Sequence, residues 1–362
     1  MPAPHGPWPL GTRILHLADS TRGDAAGPRE LTVQLWYPTT REAQGAPAPY
    51  VAEPAVLAAM RADGYYHQAD GVFDRWAAWR VAATLDAPVA PARKPRRLVV
   101  LSHGQGFARA NYTALATELA SRGWIVATVD HPYGGLMVTA RGRVIRAGDD
   151  GAVGTSDSTL GRMVHDWALD ATFVLDRVAA AGRDGLDPRR AAMVGHSLGG
   201  AAALEACALD RRFAGCVDLD GAPFGRVVEA GTRGPVLLLN SNPDYTDAEL
   251  ARKGRTREQW DAMGTSILRA LTDVAAKSSG PVYRGTIRGT SHVGFSDAPF
   301  AMPEANTHFG GRLLAPERTH EIVSGTVLAF LDACVAGNGR WQPGELGRRF
   351  PELTLTRLDP QR

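Results

Sequence analysis

Short apolar runs alternate along the chain with longer segments in which apolar residues recur at helical spacing. The short runs are bounded by turn-forming residues and predict buried strands, whereas the periodic segments predict amphipathic helices. The predicted parallel strands cover residues 98–102, 124–130, 191–196, 216–220, 235–240 and 282–287. The predicted helices cover residues 111–121, 164–178 and 322–334. Strands and helices that alternate in this way indicate a mostly parallel, doubly wound α/β sheet.

Three segments lie outside this alternation. Residues 13–18 and 30–37 predict an antiparallel strand pair ahead of the parallel sheet, joined through the Gly-rich segment 22–28. Two insertions, 47–95 and 242–280, separate predicted elements of the sheet. We predict that both form a partial cap on a single domain that spans residues 1–362.

The first insertion contains an aromatic segment, 70–85, that predicts a helix behind a cap at Asp70. The apolar face of this predicted helix consists of Val72, Phe73, Trp76, Trp79 and Ala83. Two interpretations are open. The aromatic side chains cover the cleft and offer apolar surface to a substrate, or Trp76 and Trp79 pack the insertion onto the sheet. The second insertion has a polar helical pattern around residues 249–271.

The motif Gly195-His196-Ser197-Leu198-Gly199 is the most specific signal in the chain. It follows the apolar run 191–194 and leads into the Ala-rich helical stretch 201–208. Glycines two before and two after the serine permit a tight turn with a strained backbone at Ser197. This combination is a nucleophile elbow, and it predicts an α/β-hydrolase fold with Ser197 as the nucleophile.

A serine hydroxyl needs a base to remove its proton, and the order along the chain in this fold is serine, acid, histidine. Among the histidines that follow Ser197, His292 lies in a short loop after the predicted strand 282–287. His308 lies in a Gly-rich loop and His320 in a helical pattern, and both are interpreted as surface residues. His292 is therefore the predicted base.

The residues alone leave two candidates for the acid that orients the histidine. Asp220 closes the predicted strand 216–220, and Asp244 follows the next predicted strand, 235–240. Either loop could present a carboxylate to the far nitrogen of the imidazole and fix its tautomer. The later position is the commoner one in this fold.

Acyl transfer also needs N–H donors for the oxyanion of the tetrahedral intermediate. In this fold one donor is the N–H of the residue after the nucleophile, here Leu198, and the other comes from the loop after the third strand. That loop is residues 103–106. His103 and His196 are interpreted as residues that hold these loops by hydrogen bonds.

The chain resembles the platelet-activating-factor acetylhydrolase family, in its plasma-type and bacterial branches. The resemblance extends from Gly6 to about Asp297. It is carried by the elbow, Gly6-Pro7, and residues 35–38, 101–109, 119–127, 217–220 and 290–292.

The resemblance implies the roles of two further residues and a class of substrate. It places the acid on the strand directly after the nucleophile helix, which is Asp220 here, and gives the next strand an end like Asn240-Ser241 without an acid at Asp244. It assigns the second oxyanion donor to the N–H of Gln105, where plasma-type members have an apolar residue. It also implies short acyl groups, such as acetyl.

Composition and charge are ordinary for a soluble globular protein, with 44% hydrophobic and 22% charged residues. A net charge of +2 gives no reason to expect nucleic acid as a partner. No apolar run approaches the length of an integral membrane segment. The 3 cysteines form no C-x-x-C pair and are interpreted as free core thiols. The Pro-rich segment 1–10 lacks the apolar core of a signal peptide, so we expect a cytoplasmic protein. Secretion of a longer precursor is the alternative.

The sequence thus predicts a serine carboxylic ester hydrolase that forms an acyl-enzyme on Ser197, with a small-molecule or lipid-like ester as substrate. It implies no metal and no organic cofactor, because the protein supplies nucleophile, base and donors. A polyester hydrolase, or an acyltransferase or thioesterase with the same three residues, remains an alternative. The oligomeric state is not indicated.

Overall fold

The computed structural model describes residues 1–24, 27–65, 68–92, 94–150, 156–181, 190–302 and 312–358. Its strands are β1 (Leu10–Asp24), β2 (Gly27–Pro38), β3 (Pro47–Pro49), β4 (Arg80–Leu85), β5 (Leu98–Ser102), β6 (Ile125–Asp130), β7 (Met137–Val138), β8 (Val144–Ile145), β9 (Ala191–His196), β10 (Phe213–Leu219), β11 (Val236–Asn242), β12 (Val282–Arg288) and β13 (Leu353–Leu358). Its helices are α1 (Pro54–Ala62), α2 (Asp70–Ala78), α3 (Thr113–Ser121), α4 (Asp157–Ala180), α5 (Leu198–Leu209), α6 (Val227–Ala230), α7 (Asp247–Arg252), α8 (Arg257–Lys277), α9 (Ala298–Ala301), α10 (Pro316–Phe330) and α11 (Pro343–Arg349).

In the described part of the chain, 11 strands form one sheet in the order β13-β12-β11-β10-β9-β5-β6-β2-β1-β4-β3. The strands from β12 to β6 run parallel to one another, whereas β2 pairs antiparallel with both β6 and β1. The predicted mostly parallel sheet and its antiparallel opening pair are therefore confirmed.

Helices cover both faces of the central strands, which explains why the sequences of these strands are continuous apolar runs. Val99 and Leu101 of β5 join an apolar cluster with α3 and α10, and Leu98 and Val100 join another with α4 and α5. Because the parallel strands end at the same edge of the sheet, the loops after β5, β9, β10 and β12 meet there.

The predicted helix over residues 70–85 is wrong in its second half. The helix α2 ends at Ala78, and β4 begins at Arg80, pairing with β1 and β3. The helical pattern was misleading here because Val81 and Ala83 are buried with the two-residue period of a strand. Ala83 also fits the helical spacing, so the pattern alone could not exclude a helix. The helix N-cap is Ala69, and Asp70 is the first helical residue rather than the cap.

The first insertion packs tightly against the rest of the fold through its aromatic residues. Phe73 and Trp76 are each 1% exposed, and the rings of Tyr50 and Trp76 meet edge to face. Trp76 Nε1 donates to Ala301 O at 3.0 Å. Packing, the second of the two interpretations, therefore accounts for Trp76, while Trp79 is half-buried. Phe73 and Trp76 present no apolar surface to a substrate.

The second insertion contributes a helix that packs on the sheet. Leu271, Val274 and Ala275 of α8 are buried in an apolar cluster with residues of β11 and β12. This part of α8 is the crossover that connects these two parallel strands. The sequence pattern did not indicate β13, which pairs antiparallel with β12 at the sheet edge.

One helix in the described part of the chain, Pro316–Ala336, is long and apolar enough to cross a membrane by length and composition. It consists of α10 and a π-helical continuation. Its residues Ile322, Val327, Phe330 and Leu331 are buried in the apolar core. A buried core helix meets the same criterion.

The cysteines differ from the prediction of free thiols. Cys207 of α5 and Cys216 of β10 form a disulfide, with their Cα atoms 6.5 Å apart, and Cys334 is free. The pairing arises because α5 packs directly on β10, which brings two buried positions within bonding distance. Helical and strand patterns considered separately could not show this proximity.

Candidate active site

The serine of the elbow lies between β9 and α5 in a strained backbone conformation. Ser197 has φ +55° and ψ −120°, and its N–H donates to Leu219 O at 2.8 Å. A Cβ on Gly195 would lie 1.9 Å from Gly199 O, so only glycine permits this close crossing of strand and helix. The turn presents the Ser197 side chain at the carboxyl edge of the sheet.

The acid and the histidine meet at the same edge. Asp220 directly follows β10, and its Oδ2 lies 2.8 Å from Nδ1 of His292, which follows β12. The Asp220 side chain is largely buried, whereas the His292 ring is 43% exposed and therefore accessible to a substrate. The carboxylate accepts from Nδ1–H and leaves Nε2 as the acceptor.

Ser241, at the end of β11, holds the carboxylate in place. Its N–H donates to Asp220 Oδ1 at 2.8 Å and its hydroxyl donates to Oδ2 at 2.6 Å. Although burial works to raise the pKa of Asp220, the hydrogen bond and charge of His292 and the two Ser241 bonds hold it below its ordinary value. Asp220 is therefore ionised at neutral pH.

Asp244, the alternative acid, is exposed after β11. The geometry thus favours Asp220, in agreement with the choice that the resemblance implied. No local sequence signal indicated the role of Ser241, apart from its place in the Asn240-Ser241 strand end.

Ser197 and His292 are not joined by a hydrogen bond in the described structure. Their loops are nevertheless adjacent, because the ring of His196 lies 4.6 Å from the ring of His292, measured between centroids. Nucleophile–base bonds are often long without a substrate and tighten in the complex.

The amides of Leu198 and Gln105 are suited to bind an oxyanion. Leu198 N–H is the first amide of α5, so it has no carbonyl partner one turn earlier in the helix. In the oxyanion loop, which we define as residues 103–106, Gly104 N–H donates to Tyr112 Oη and Gly106 N–H donates to Gly134 O. Gln105 N–H donates to no acceptor among the described residues.

The oxyanion loop passes directly beside the nucleophile. A Cβ on Gly104 would lie 3.2 Å from Ser197 Cβ. On its outer side the loop contacts the first insertion, where Tyr65 Oη lies 3.1 Å from Gly106 O and 3.0 Å from Asn111 Oδ1. No sequence pattern indicated the roles of Tyr65 and Tyr112, because their contacts join distant segments.

The two other described histidines of the motifs, His103 and His196, do not act as bases in this arrangement. His103 and His196 are completely buried and hydrogen-bonded, as predicted, to Gly104 O and Tyr112 Oη respectively. Burial and the charge of His292 hold the pKa of His196 well below its ordinary value. His320 is half-buried rather than on the surface, and His308 lies outside the described residues.

A second carboxyl group, Asp218, lies beneath the site on β10. Its Oδ1 accepts from Gly221 N–H at 2.8 Å, and its buried Oδ2 has no hydrogen-bond partner in the described structure. Burial and, less strongly, the charge of Asp220 raise the pKa of Asp218 to about 8. The group is therefore protonated at neutral pH.

This raised pKa predicts a loss of stability with rising pH. The unfolded carboxyl, with an ordinary pKa of about 3.9, releases its proton before the folded one, so the wild type loses stability between about pH 4 and pH 8. Asp218→Asn has no titrating group at this position and should gain, relative to wild type, on the order of 4 kcal/mol between pH 5 and pH 9. Urea unfolding of both proteins at the two pH values measures it. Parallel stability profiles would contradict the assignment.

Comparison with known proteins identifies the group to which this arrangement is similar. A family model described as platelet-activating factor acetylhydrolase, isoform II, matches residues 1–140 and 157–343. A probable 1-alkyl-2-acetylglycerophosphocholine esterase from Arthroderma benhamiae is 27% identical over 252 residues, which are 65% of this chain and 62% of that protein. The platelet-activating factor acetylhydrolase of Canis lupus familiaris is 27% identical over 185 residues, 40% of this chain and 39% of that protein. The chain thus spans less than two thirds of these curated relatives.

A solved structure is similar over nearly the whole chain. The ferulic acid esterase from Streptomyces cinnamoneus has 32% sequence identity and a TM-score of 0.77, covering 98% of each chain. This similarity agrees with the predicted α/β-hydrolase fold. Every one of these named relatives is an esterase or an acetylhydrolase, which supports the prediction of an enzyme that hydrolyses carboxylic esters.

Proposed function

Since the chain belongs to the platelet-activating factor acetylhydrolase, isoform II family, we propose that it is a serine carboxylic ester hydrolase that forms an acyl-enzyme on Ser197. The family resemblance seen in the sequence is thereby confirmed. The observation that carries the proposal is the 2.8 Å contact of Asp220 with His292 Nδ1, beside a serine held in an elbow.

In the acylation step, His292 acts through Nε2, because Nδ1 keeps its proton and donates it in the hydrogen bond to Asp220. It takes the proton of Ser197 as Oγ attacks the ester carbonyl carbon. The carbonyl oxygen becomes an oxyanion, and the N–H groups of Leu198 and Gln105 donate to it. His292 then returns the proton to the leaving alcohol as the ester bond breaks.

Deacylation repeats these roles with water as the nucleophile. His292 removes a proton from the water, which attacks the acyl carbon bound to Ser197 Oγ. The same two amides hold the second oxyanion. Collapse of this intermediate releases the acid and returns the proton to Ser197.

The first candidate substrate is an ester of a short acyl group. The family description and the names of the curated relatives support it, since both refer to acetyl esters. The first insertion, fixed to the oxyanion loop by Tyr65, would act as the partial cap that limits acyl length.

The second candidate substrate is an ester of ferulic acid. The observation in its favour is the solved ferulic acid esterase, which is more similar in sequence than the curated relatives and covers nearly the whole chain. Both candidates use the same nucleophile, base and oxyanion donors. They differ in the shape of the acyl pocket.

A series of p-nitrophenyl esters from acetyl to dodecanoyl tests the acyl preference. A closed pocket rejects extra methylenes, because overpacking costs about 1–3 kcal/mol, whereas an open pocket gains about 0.8 kcal/mol for each one buried. We expect kcat/KM for acetyl and butyryl esters to exceed that for the dodecanoyl ester by at least about tenfold.

Methyl ferulate is the comparison substrate, and Ser197→Ala supplies the background rate. Faster turnover of methyl ferulate than of methyl butyrate would select the second candidate. Values of kcat/KM that rise steadily from acetyl to dodecanoyl would contradict the first candidate and favour a lipase or long-chain thioesterase. Product analysis with an added alcohol separates hydrolysis from acyl transfer.

The cytoplasmic location expected from the N-terminal sequence stays a prediction. The Cys207–Cys216 disulfide is of the kind that persists in oxidising compartments. Alkylation of the protein as isolated, before and after reduction, would show whether Cys207 and Cys216 are oxidised.

A further inference from the structure

A second serine, histidine and aspartate array lies in the core behind the oxyanion loop. Ser102 Oγ is 2.9 Å from His131 Nε2, and His131 Nδ1 is 2.8 Å from Asp170 Oδ2. All three residues are 0% exposed. The array therefore has the connectivity of a hydrolytic triad but cannot meet a substrate.

We propose that this buried array, Ser102, His131 and Asp170, positions the oxyanion loop, so that Gln105 N–H is aimed at the substrate carbonyl oxygen. The inference rests on the proposed function, because it takes the loop to bind an oxyanion. These three are positioning residues, since they act on the reaction only through the loop.

The outer end of the array is fixed by charge. Asp170, on α4, accepts from Arg29 of β2 through both carboxylate oxygens, each at 2.7 Å. Burial opposes the charged form, yet Arg29 and the His131 hydrogen bond hold the pKa of Asp170 well below its ordinary value. Asp170 is thus an acceptor only, and His131 must donate from Nδ1.

The protonation state of His131 fixes the direction of its hydrogen bond with the Ser102 hydroxyl. Burial lowers the pKa of His131, so the ring is neutral and its Nε2 accepts the Ser102 proton. The ring of His131 also stacks on Trp167, with centroids 4.4 Å apart and planes 7° apart. The end of β5 and the start of the loop after β6 are therefore tied to α4.

The inner end of the array reaches the oxyanion loop through His103. His131 N–H donates to His103 Nε2 at 3.2 Å, which leaves the proton of His103 on Nδ1. That Nδ1–H donates to Gly104 O at 2.8 Å. Trp167 supports this ring too, with centroids 4.9 Å apart.

Holding the Gly104 carbonyl determines where the next amide points. Gly104 C=O and Gln105 N–H belong to one planar trans peptide, so their bonds point in opposite directions. Phe107 N–H also donates to Gly104 O, at 3.0 Å. Two donors on the carbonyl thus aim Gln105 N–H away from them, while the array holds the His131 and His103 rings in place.

The test removes one hydroxyl from the array and compares it with a matched control. Ser102→Ala leaves His131 Nε2 without its donor, and we expect kcat to fall about tenfold with KM within about twofold. Thr128→Ala removes a buried hydroxyl from β6, whose bonds go to Gln34 O and Trp36 Nε1 rather than toward the loop. It should cost similar stability and leave kcat near wild type.

A readout specific to the oxyanion separates positioning from general destabilisation. A trifluoromethyl ketone forms a tetrahedral adduct on Ser197, and its affinity should fall in Ser102→Ala by the same factor as kcat. Ser102→Thr keeps the hydroxyl and should restore most of both values. If Ser102→Ala does not fold, Ser102→Cys, with a weaker donor, should show an intermediate loss.

Equal kcat and equal ketone affinity in Ser102→Ala and Thr128→Ala would overturn the proposal. Failure of the proposed function is distinguishable, because wild type would then show no Ser197-dependent ester turnover. In that case the rate of fluorophosphonate labelling at Ser197 still compares the variants, since it also builds charge on an oxygen in the oxyanion site. Wild type without turnover or labelling overturns both proposals.

Discussion

We expect Ser197→Ala to abolish ester hydrolysis while the fold stays intact. Loss of a triad nucleophile typically lowers kcat about a millionfold, because no other group can form the acyl-enzyme. The structure gives the substitution little other effect. Alanine keeps the Cβ and the N–H bond to Leu219 O, and Ser197 Oγ makes no hydrogen bond within the described structure. The free energy of unfolding should change by about 1 kcal/mol at most.

Steady-state turnover of p-nitrophenyl butyrate and urea unfolding measure these two effects on the same preparations. Ser279→Ala, which removes an exposed serine after α8, is the matched control and should behave as wild type. Fluorophosphonate should label wild type and the control, but not Ser197→Ala. Wild-type turnover in purified Ser197→Ala would falsify the proposed mechanism.

The sequence was most informative where function depends on local structure. The elbow needs a strand, a strained serine, glycines and a helix within a few residues, so one motif predicted both the fold and the nucleophile. The strand ends that carry Asp220 and His292 could be located for the same reason. Their proximity to each other follows from the sheet order, which places β10, β11 and β12 side by side.

The features that could not be predicted depend on contacts between distant segments. Ser241 contacts Asp220 because β11 lies beside β10, and Cys207 bonds to Cys216 because α5 packs on β10. Tyr65 reaches Gly106 from an insertion whose packing is not evident from its periodicity. The helix predicted over 70–85 was wrong because pairing with β1 and β3 outweighed the helical pattern after Ala78.

The buried array extends the same principle. Ser102 and His131 end adjacent strands and Asp170 lies on the helix that covers them, so only the assembled sheet brings them together. The array supports the oxyanion loop from the core, and Tyr65 contacts it from the insertion. A loop that must aim a single amide is thus held on both sides.

Asp220→Asn should lower kcat by roughly ten-thousandfold, the second largest effect expected. The amide can still accept from Ser241 N–H, but the group that faces His292 Nδ1 changes from an acceptor to a donor. His292 must then carry its proton on Nε2, where it cannot accept the proton of Ser197. Backbone strain does not explain the loss, because Asp220 has φ +61° and asparagine tolerates this left-handed region at least as well.

Asp244→Asn is the matched control, because Asp244 is the other acid that the sequence allowed. Its side chain is exposed, and we expect kcat to change by about twofold at most. Turnover of p-nitrophenyl butyrate by both variants, with urea unfolding to confirm equal folding, gives the ranking. The reverse order would assign the acid to Asp244, and the Asp220–His292 bond would then hold the loop without serving catalysis. Equal and small losses in both variants would mean that neither carboxylate is needed to keep His292 in its active tautomer.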